Sequence, residues 1–435
     1  MTNIDFIIFY EHVPREWNSV QRLKRELNKL GLKGVVYPKH FYKYKTLVKF
    51  RPSIVIVPYL YSKKNDQHIM FEEIYGATPV LNLHSEQLHD ETTKAFQMPH
   101  DDYASSAYHI SWGNKFADAL IDYGVKPKLI FKTGSIRNDD TFFKGKSRKE
   151  KGRILIPTAF SKTFVSSVYI DKLTSLDTID KEKYLTKLRY TKEVRDAFFE
   201  NIYKLSKKLP LKKFVFRPHP YVELNDYVDC FCKVNNISAL PGNVYVERNG
   251  SIQDDVANSE KIITWYSSTA LDAFLMDRNV IVYEPVSTPD YMKIDFLNYF
   301  KSASTIQELE DYVLESRDDT SSKETHEFIS SVYGPVDGKS CQRVACVTYD
   351  ILSNLSKREE KLHFFSYFKY YAKYLYIDIP KNIVRKLGVL DKIKPFYKGV
   401  TNDCLVNDTL DIEVCERNET ALKISEHNNG YHVGD

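Results

Sequence analysis

Short apolar runs alternate along the chain with segments whose apolar positions recur every three or four residues. Asp5–Tyr10, Gly34–Tyr37, Ser53–Val57, Thr78–Leu83 and Lys128–Lys132 read as strands. Between them, Trp17–Leu30, Gln67–Tyr75 and Asn114–Tyr123 read as amphipathic helices. After a basic stretch around Phe143–Gly152 the rhythm restarts. Arg153–Ile156, Lys213–Phe216, Asn243–Val246, Lys261–Trp265 and Val280–Tyr283 form a second set of strands, with a long charged helix over Lys181–Lys208. Strands alternating with helices predict parallel sheets covered on both faces. The expected α/β architecture is two Rossmann-like domains, residues 1–145 and 153–355, facing across a cleft. An aromatic and basic extension (356–400) and an acidic tail (401–435) follow. Ligands of such sheets bind at the carboxyl ends of the strands, which makes the residues just after each strand the first to inspect.

Composition narrows the class. At 435 residues and 43% hydrophobic content, the chain is long enough for two cores. MTNIDFIIFYEHV reads directly as a first strand rather than a leader, and no apolar run reaches membrane-spanning length. The six cysteines lack zinc or redox spacing, which fits reduced thiols in a cytoplasmic protein. The net charge of +4 is unevenly distributed. Residues 357–400 hold eleven Lys/Arg against four acids, and residues 401–435 two against eight. The rest is nearly neutral, which argues against a nucleic-acid groove through the body.

Chemistry concentrates at the strand ends. In KKFVFRPHPYVELNDY, Arg217 and His219 follow an apolar run and are stiffened by Pro218 and Pro220. A guanidinium and an imidazole suit a phosphate, although Arg217 could instead pair with a surface acid. In KIITWYSSTALDAF, a strand runs through Ser267, Ser268 and Thr269 into a helix. Hydroxyls there cap free N–H groups, and the same helix end attracts anions. Three in succession favour a bound phosphate over a plain cap. Glu284, ending the next strand, is placed to take a ribose or sugar hydroxyl. No GxxxxGK[ST] or GxGxxG follows any strand, which leaves ATPase and dinucleotide readings little support. In the N-terminal half, Glu11 and His12 end the first strand, and Arg15 and Glu16 open the next helix. His84, Glu86, His89 and Asp90 follow the fourth strand. Glu11, His84 and Glu86 are the candidates for deprotonating or positioning an acceptor hydroxyl. Acids near a helix start are also stabilised there with no catalytic role. The spacing of His84, Glu86 and His89 fits no familiar metal motif, and no metal is expected. Arg137 and Asp139, in KTGSIRNDD, are candidates without a role.

Taken in order, several motifs resemble those of bacterial surface-carbohydrate biosynthesis proteins with a GT-B-like fold. They are Glu11-x3-Arg15-Glu16, Ser111–Gly113, the Thr133–Asp139 loop, RPHP, the Ser-Ser-Thr helix start, and Tyr333–Lys339. The similarity spans roughly residues 4–355. The His-Pro and Ser-Ser/Thr pair also resembles bacterial sialyltransferases, capsule Kdo transferases and CDP-glycerol-type teichoic acid enzymes. That resemblance implies a cytidine-nucleotide donor whose phosphate lies against His219, Ser267, Ser268 and Thr269. The acidic base motif of the sialyltransferases has no counterpart in the N-terminal half. The implied activity is a capsule or O-antigen glycosyltransferase with a CMP- or CDP-linked sugar donor and a glycan or lipid-linked acceptor, needing no further cofactor. A CDP-polyol phosphotransferase, a nucleotide-sugar isomerase and a non-catalytic binding partner of the assembly machinery are its rivals.

Between Phe364 and Tyr376 stand eight aromatics in thirteen positions, interleaved with lysines, and Arg385, Lys386, Lys392, Lys394 and Lys398 follow. Such a stretch fits the headgroup region of an anionic membrane, which would make the protein peripheral on the inner face of the cell membrane. It equally fits a helix that folds back to bury its tyrosines.

Overall fold

The computed structural model describes residues 1–11, 13–39, 43–63, 67–87, 97–147, 149–165, 170, 181–219, 222–248, 250–315, 323–355, 362–380 and 383. Expectations for His12, His89, Asp90, Pro220, the side chain of Arg15, the cations from Arg385 to Lys398 and the tail 401–435 fall outside the described residues. Two compact units emerge. One is Met1–Asp139 with the described residues from Ser331 onward, and the other is Asp140–Ser330.

The first unit carries β1 (Thr2–Tyr10), α1 (Val13–Lys29), β2 (Gly34–Pro38), α2 (Lys43–Lys49), β3 (Phe50–Val57) and α3 (Gln67–Tyr75). It continues with β4 (Val80–Asn82), α4 (Asp102–Ser105), β5 (Tyr108–Ser111), α5 (Asn114–Asp122), β6 (Ile130–Lys132) and the start of α6 (Ile136–Gly145). The strands form a parallel sheet in the order β2-β1-β3-β4-β5-β6. The near-continuous apolar run Phe6–Tyr10 is fully buried, as a central parallel strand covered on both faces requires.

The second unit contains β7 (Glu150–Pro157), α7 (Lys181–Lys208), β8 (Lys213–Arg217), α8 (Leu224–Asn235), β9 (Val244–Val246), α9 (Ile252–Asn258) and β10 (Ser259–Thr264). Then come α10 (Thr269–Leu275), β11 (Asn279–Tyr283), β12 (Lys301–Ala303), α11 (Ile306–Leu314) and most of α12 (Lys323–Tyr333). Its sheet, also parallel throughout, runs β12-β11-β10-β7-β8-β9. Counted from β7, that is the 3-2-1-4-5-6 order of the Rossmann fold. Phe199, Phe216, Tyr227 and Phe231 form an edge-and-tilt aromatic cluster beneath α7 and α8. The α/β expectation of two Rossmann-like units therefore holds.

Three features depart from the sequence pattern. Strand β5 was not predicted because His109 and Ser111 interrupt its apolar character, yet both are fully buried with hydrogen-bond partners inside the chain. The edge strand β12 has only three residues and no alternation to read. The second unit ends at Ser330 rather than near 355. Beyond it, α13 (Ser340–Ser353) buries Cys341, Val344, Ala345 and Ile351 in the core of the first unit. The chain returns there because this amphipathic helix needs an apolar partner, and α1 supplies one.

The extension α14 (Phe364–Lys373), continued by a π-helical turn at Tyr374–Asp378, folds back against α2 and α3. Tyr370 is buried, stacks on Tyr44 at 6.2 Å and donates its hydroxyl proton to Glu73 at 2.6 Å. Asp378 accepts the backbone N–H groups of Tyr44 and Lys45 at 3.0 and 2.7 Å, capping the start of α2.

Candidate functional site

In an open parallel sheet, ligands enter where the strand order reverses direction. In the second unit that point lies between β7 and β10. There Thr158, just past β7, bridges Trp265, just past β10, while on the other side Pro157 is in register with Arg217 of β8. The RPHP and Ser-Ser-Thr segments therefore leave the same sheet from strands that flank β7. Two strand spacings separate their origins, about 10 Å.

The turn into α10 is made by Tyr266 at φ +54°, a left-handed conformation uncommon for an aromatic residue. Ser267 Oγ accepts the Thr269 N–H at 3.3 Å and donates to Thr269 Oγ1 at 3.1 Å, so it serves as the cap of the helix. Ser268 is exposed, and its side chain makes no capping bond. Asp272 stands in the first turn and already places an acid at this helix end. Beneath the turn, Trp265 stacks on Phe160 at 5.4 Å, and Lys187 of α7 lies over the Tyr266 ring at 5.5 Å.

Arg217 has a firm structural engagement. Its guanidinium pairs with Asp255 of α9 and donates to the Gly250 carbonyl at 2.8 Å. Asp255 also receives Arg153 at 2.8 Å. The acid that Arg217 meets is thus buried, and the pair anchors the end of β8. His219 is exposed, and its backbone carbonyl accepts from Arg248 at 2.9 Å. Arg248 also reaches the Val222 carbonyl at 3.1 Å, which fixes both sides of the loop. The positive charge of Arg248 is disfavoured mainly by burial.

Glu284, after β11, accepts the Thr288 hydroxyl at 2.8 Å. Both line a cavity of about 190 Å³ at the β10–β11 end of the sheet, together with Trp265, Tyr266, Lys293 and Asn298. This cavity places Glu284 beside the same turn as Ser267, a grouping that the sequence left open.

In the first unit the strand order reverses between β1 and β3. Glu11 lies at the end of β1, and Tyr59, just past β3, donates its hydroxyl proton to Glu11 at 2.5 Å. Lys39, after β2, sits 3.6 Å over the Tyr59 ring. The Glu11 N–H donates to the buried Glu16 carboxylate at 2.7 Å. Lys39 and Tyr59 carried no motif and were missed. Only the side-by-side ends of β1, β2 and β3 bring them to Glu11.

His84, just past β4 at φ +46°, is buried. Its Nε2 lies 2.8 Å from Nδ1 of His109, whose own Nε2 lies 3.0 Å from the Ala104 carbonyl. A carbonyl only accepts, so this network assigns the His109 proton to Nε2 and the His84 proton to Nε2. Nδ1 of His84 is then a bare lone pair, with no hydrogen-bond partner among the described residues. Burial lowers the His109 pKa to about 4 and holds that of His84 well below the usual imidazole value. Both rings are neutral at pH 7. As pH falls below 6.5 the unfolded chain takes up protons that the folded pair refuses, so stability present above 6.5 is lost as pH approaches 4. For His109 alone the loss amounts to roughly 3 kcal/mol. Calorimetric unfolding between pH 7 and 4 should therefore show a falling first-unit transition, and His109→Gln should flatten the slope. An unchanged slope would remove the pair from the account.

Glu86 is exposed. Asp139, by contrast, is buried and accepts the N–H groups of Ser340 and Cys341, both at 2.8 Å. Arg343 donates to the Thr133 carbonyl at 2.6 Å, and Trp112 stacks on Tyr333 at 5.4 Å. Gly334, at φ +62°, lies so close to the Trp112 carbonyl that a Cβ would clash. Three motifs far apart in sequence, Ser111–Gly113, Thr133–Asp139 and Tyr333–Lys339, thus form one packed junction in the first unit.

No family model matches the chain, and no curated protein does. Among solved structures, a UDP-GlcNAc 2-epimerase from Methanocaldococcus jannaschii aligns with a TM-score of 0.49 and 12% identity, over 80% of this chain and 100% of that one. A Neisseria meningitidis UDP-GlcNAc 2-epimerase bound to UDP-GlcNAc gives 0.47 and 11%, over 81% and 100%. The wall teichoic acid polymerase TagF gives 0.48 and 11%, over 80% of this chain and 89% of that one.

Proposed function

We propose that the protein is a glycosyltransferase of bacterial surface-polysaccharide assembly, capsule or O-antigen, that takes a nucleotide-activated and specifically a cytidine-linked sugar. The observation that carries the reading is the emergence of the RPHP and Ser-Ser-Thr segments on either side of β7, the strand that borders the reversal point of a Rossmann-ordered sheet. In this reading His219, Ser268 and the N–H groups around Ser267 and Thr269 receive the donor phosphate. Arg217 holds the loop from below, and Glu284 takes a sugar or ribose hydroxyl in the adjoining cavity. Charge and hydrogen bonds aimed at the leaving phosphate lower the barrier to its departure. Glu11, oriented by Tyr59, would take the proton of the acceptor hydroxyl, with Glu86 positioning the acceptor. His84 is buried, which suits it to holding the β4 end in shape more than to meeting a substrate.

Calorimetric titration of purified protein with CMP, CDP, UDP and GDP tests the donor. CMP or CDP should bind selectively, and His219→Ala should weaken that binding by roughly 10- to 100-fold, the value of a charge-assisted hydrogen bond. Preference for UDP or GDP would discard the cytidine donor. Binding of none of the four would discard the phosphate site.

A further inference from the structure

The aromatic extension serves two surfaces at once. Helical spacing puts Tyr367 and Tyr370 on one side of α14, against the body of the first unit. The other side carries Phe364, Phe368, Tyr371 and Leu375, flanked by Phe365 and Tyr376. Phe365 is 95% exposed, Tyr376 81%, and Phe364 and Phe368 63% each. So many large apolar side chains adjoining on one exposed helix face mark an interaction surface. Lys369 and Lys373 border it. The Lys369 ammonium lies 3.2 Å from Glu73 but stays half exposed, and Lys373 covers the Tyr44 and Tyr370 rings.

We propose that this face of α14 docks on an anionic lipid bilayer, with its phenylalanines at headgroup depth and its lysines toward the phosphates. Charge selects this occupant. Residues 357–400 hold eleven cations against four acids, and six of those cations follow in residues 381–400 against a single acid. A second copy of the chain would bring two like-charged segments together, whereas an anionic surface would neutralise them. Among the described residues no helix is long and apolar enough to cross a membrane, and the docking inferred is with its surface. The inference is independent of the donor site, since it requires no nucleotide.

Sedimentation of the full chain with phosphatidylglycerol–phosphatidylcholine vesicles, against pure phosphatidylcholine vesicles, tests it. Binding to the anionic vesicles is expected to exceed binding to the neutral ones by about tenfold or more and to weaken with added salt. The triple variant Phe364→Ser/Phe365→Ser/Phe368→Ser should lose about tenfold or more of that binding. Its unfolding temperature should stay unchanged, because these side chains project into solvent. Absence of binding, equal binding to both vesicles, or undiminished binding by the variant would each overturn the proposal. So would a variant that changes only the oligomeric state, which would make the face a contact between copies.

Discussion

Replacing Asp255 with alanine should destabilise the second unit by about 3–5 kcal/mol, the usual penalty for stranding buried charge. Asp255 is 8% exposed and stands between two guanidiniums, Arg153 at 2.8 Å and Arg217. Their side chains are themselves only 6% and 10% exposed. Neither can regain water without moving a strand, and among the described residues Arg153 keeps one other acid, Glu247 at 3.1 Å. Asp255→Asn, which keeps an acceptor but removes the charge, should cost less than Asp255→Ala. Hydrogen exchange read separately along β7, β8 and α9 distinguishes this from a global effect. The variant should open those elements first, because Arg217 would no longer anchor the RPHP loop. Unchanged exchange in β7 and β8 would show that the triad contributes little to the unit.

Asp139→Ala should be the corresponding lesion in the first unit, costing about 2–4 kcal/mol from two lost charge-assisted hydrogen bonds at a helix start. The residue before α13, Lys339, supplies no side-chain cap, so the carboxylate of Asp139 caps the helix from a distant segment. Its negative charge also faces the positive end of the helix dipole. With the cap gone, α13 should fray from its first turn, loosening Cys341 and Val344 from the core against α1. Asp139→Asn, retaining one acceptor oxygen, should lose roughly half as much. Rapid exchange confined to the first turn of α13 is the expected signature. Normal protection of the Ser340 and Cys341 amides in Asp139→Ala would refute the capping role.

Both lesions fall on residues that the sequence treats unevenly. Asp139 was visible as part of a motif, but its partners lie some two hundred positions away, so its capping function had no local signature. Asp255 was not singled out at all. It looks like an ordinary acid in the first turn of a helix, and only the register of β7 against β8 reveals the two arginines it joins. Glu11 shows the converse. The strand-end rule selected it from sequence, while Tyr59 and Lys39 came to it through the sheet order. Tyr266 had no signal, because glycine or asparagine is the usual mark of a left-handed turn.

The sequence by itself determined the α/β class and ten of the twelve strands among the described residues. Each of these depends on local periodicity, since an apolar run buried on both faces can be read without knowing its neighbours. Tertiary structure alone decided the strand order, which sets RPHP and Ser-Ser-Thr on either side of β7 and brings Tyr59 to Glu11. It also decided that α13 and α14 return to the first unit. Those outcomes depend on pairing across long sequence separations, where the free energy resides in contacts between segments rather than in the pattern of any one of them.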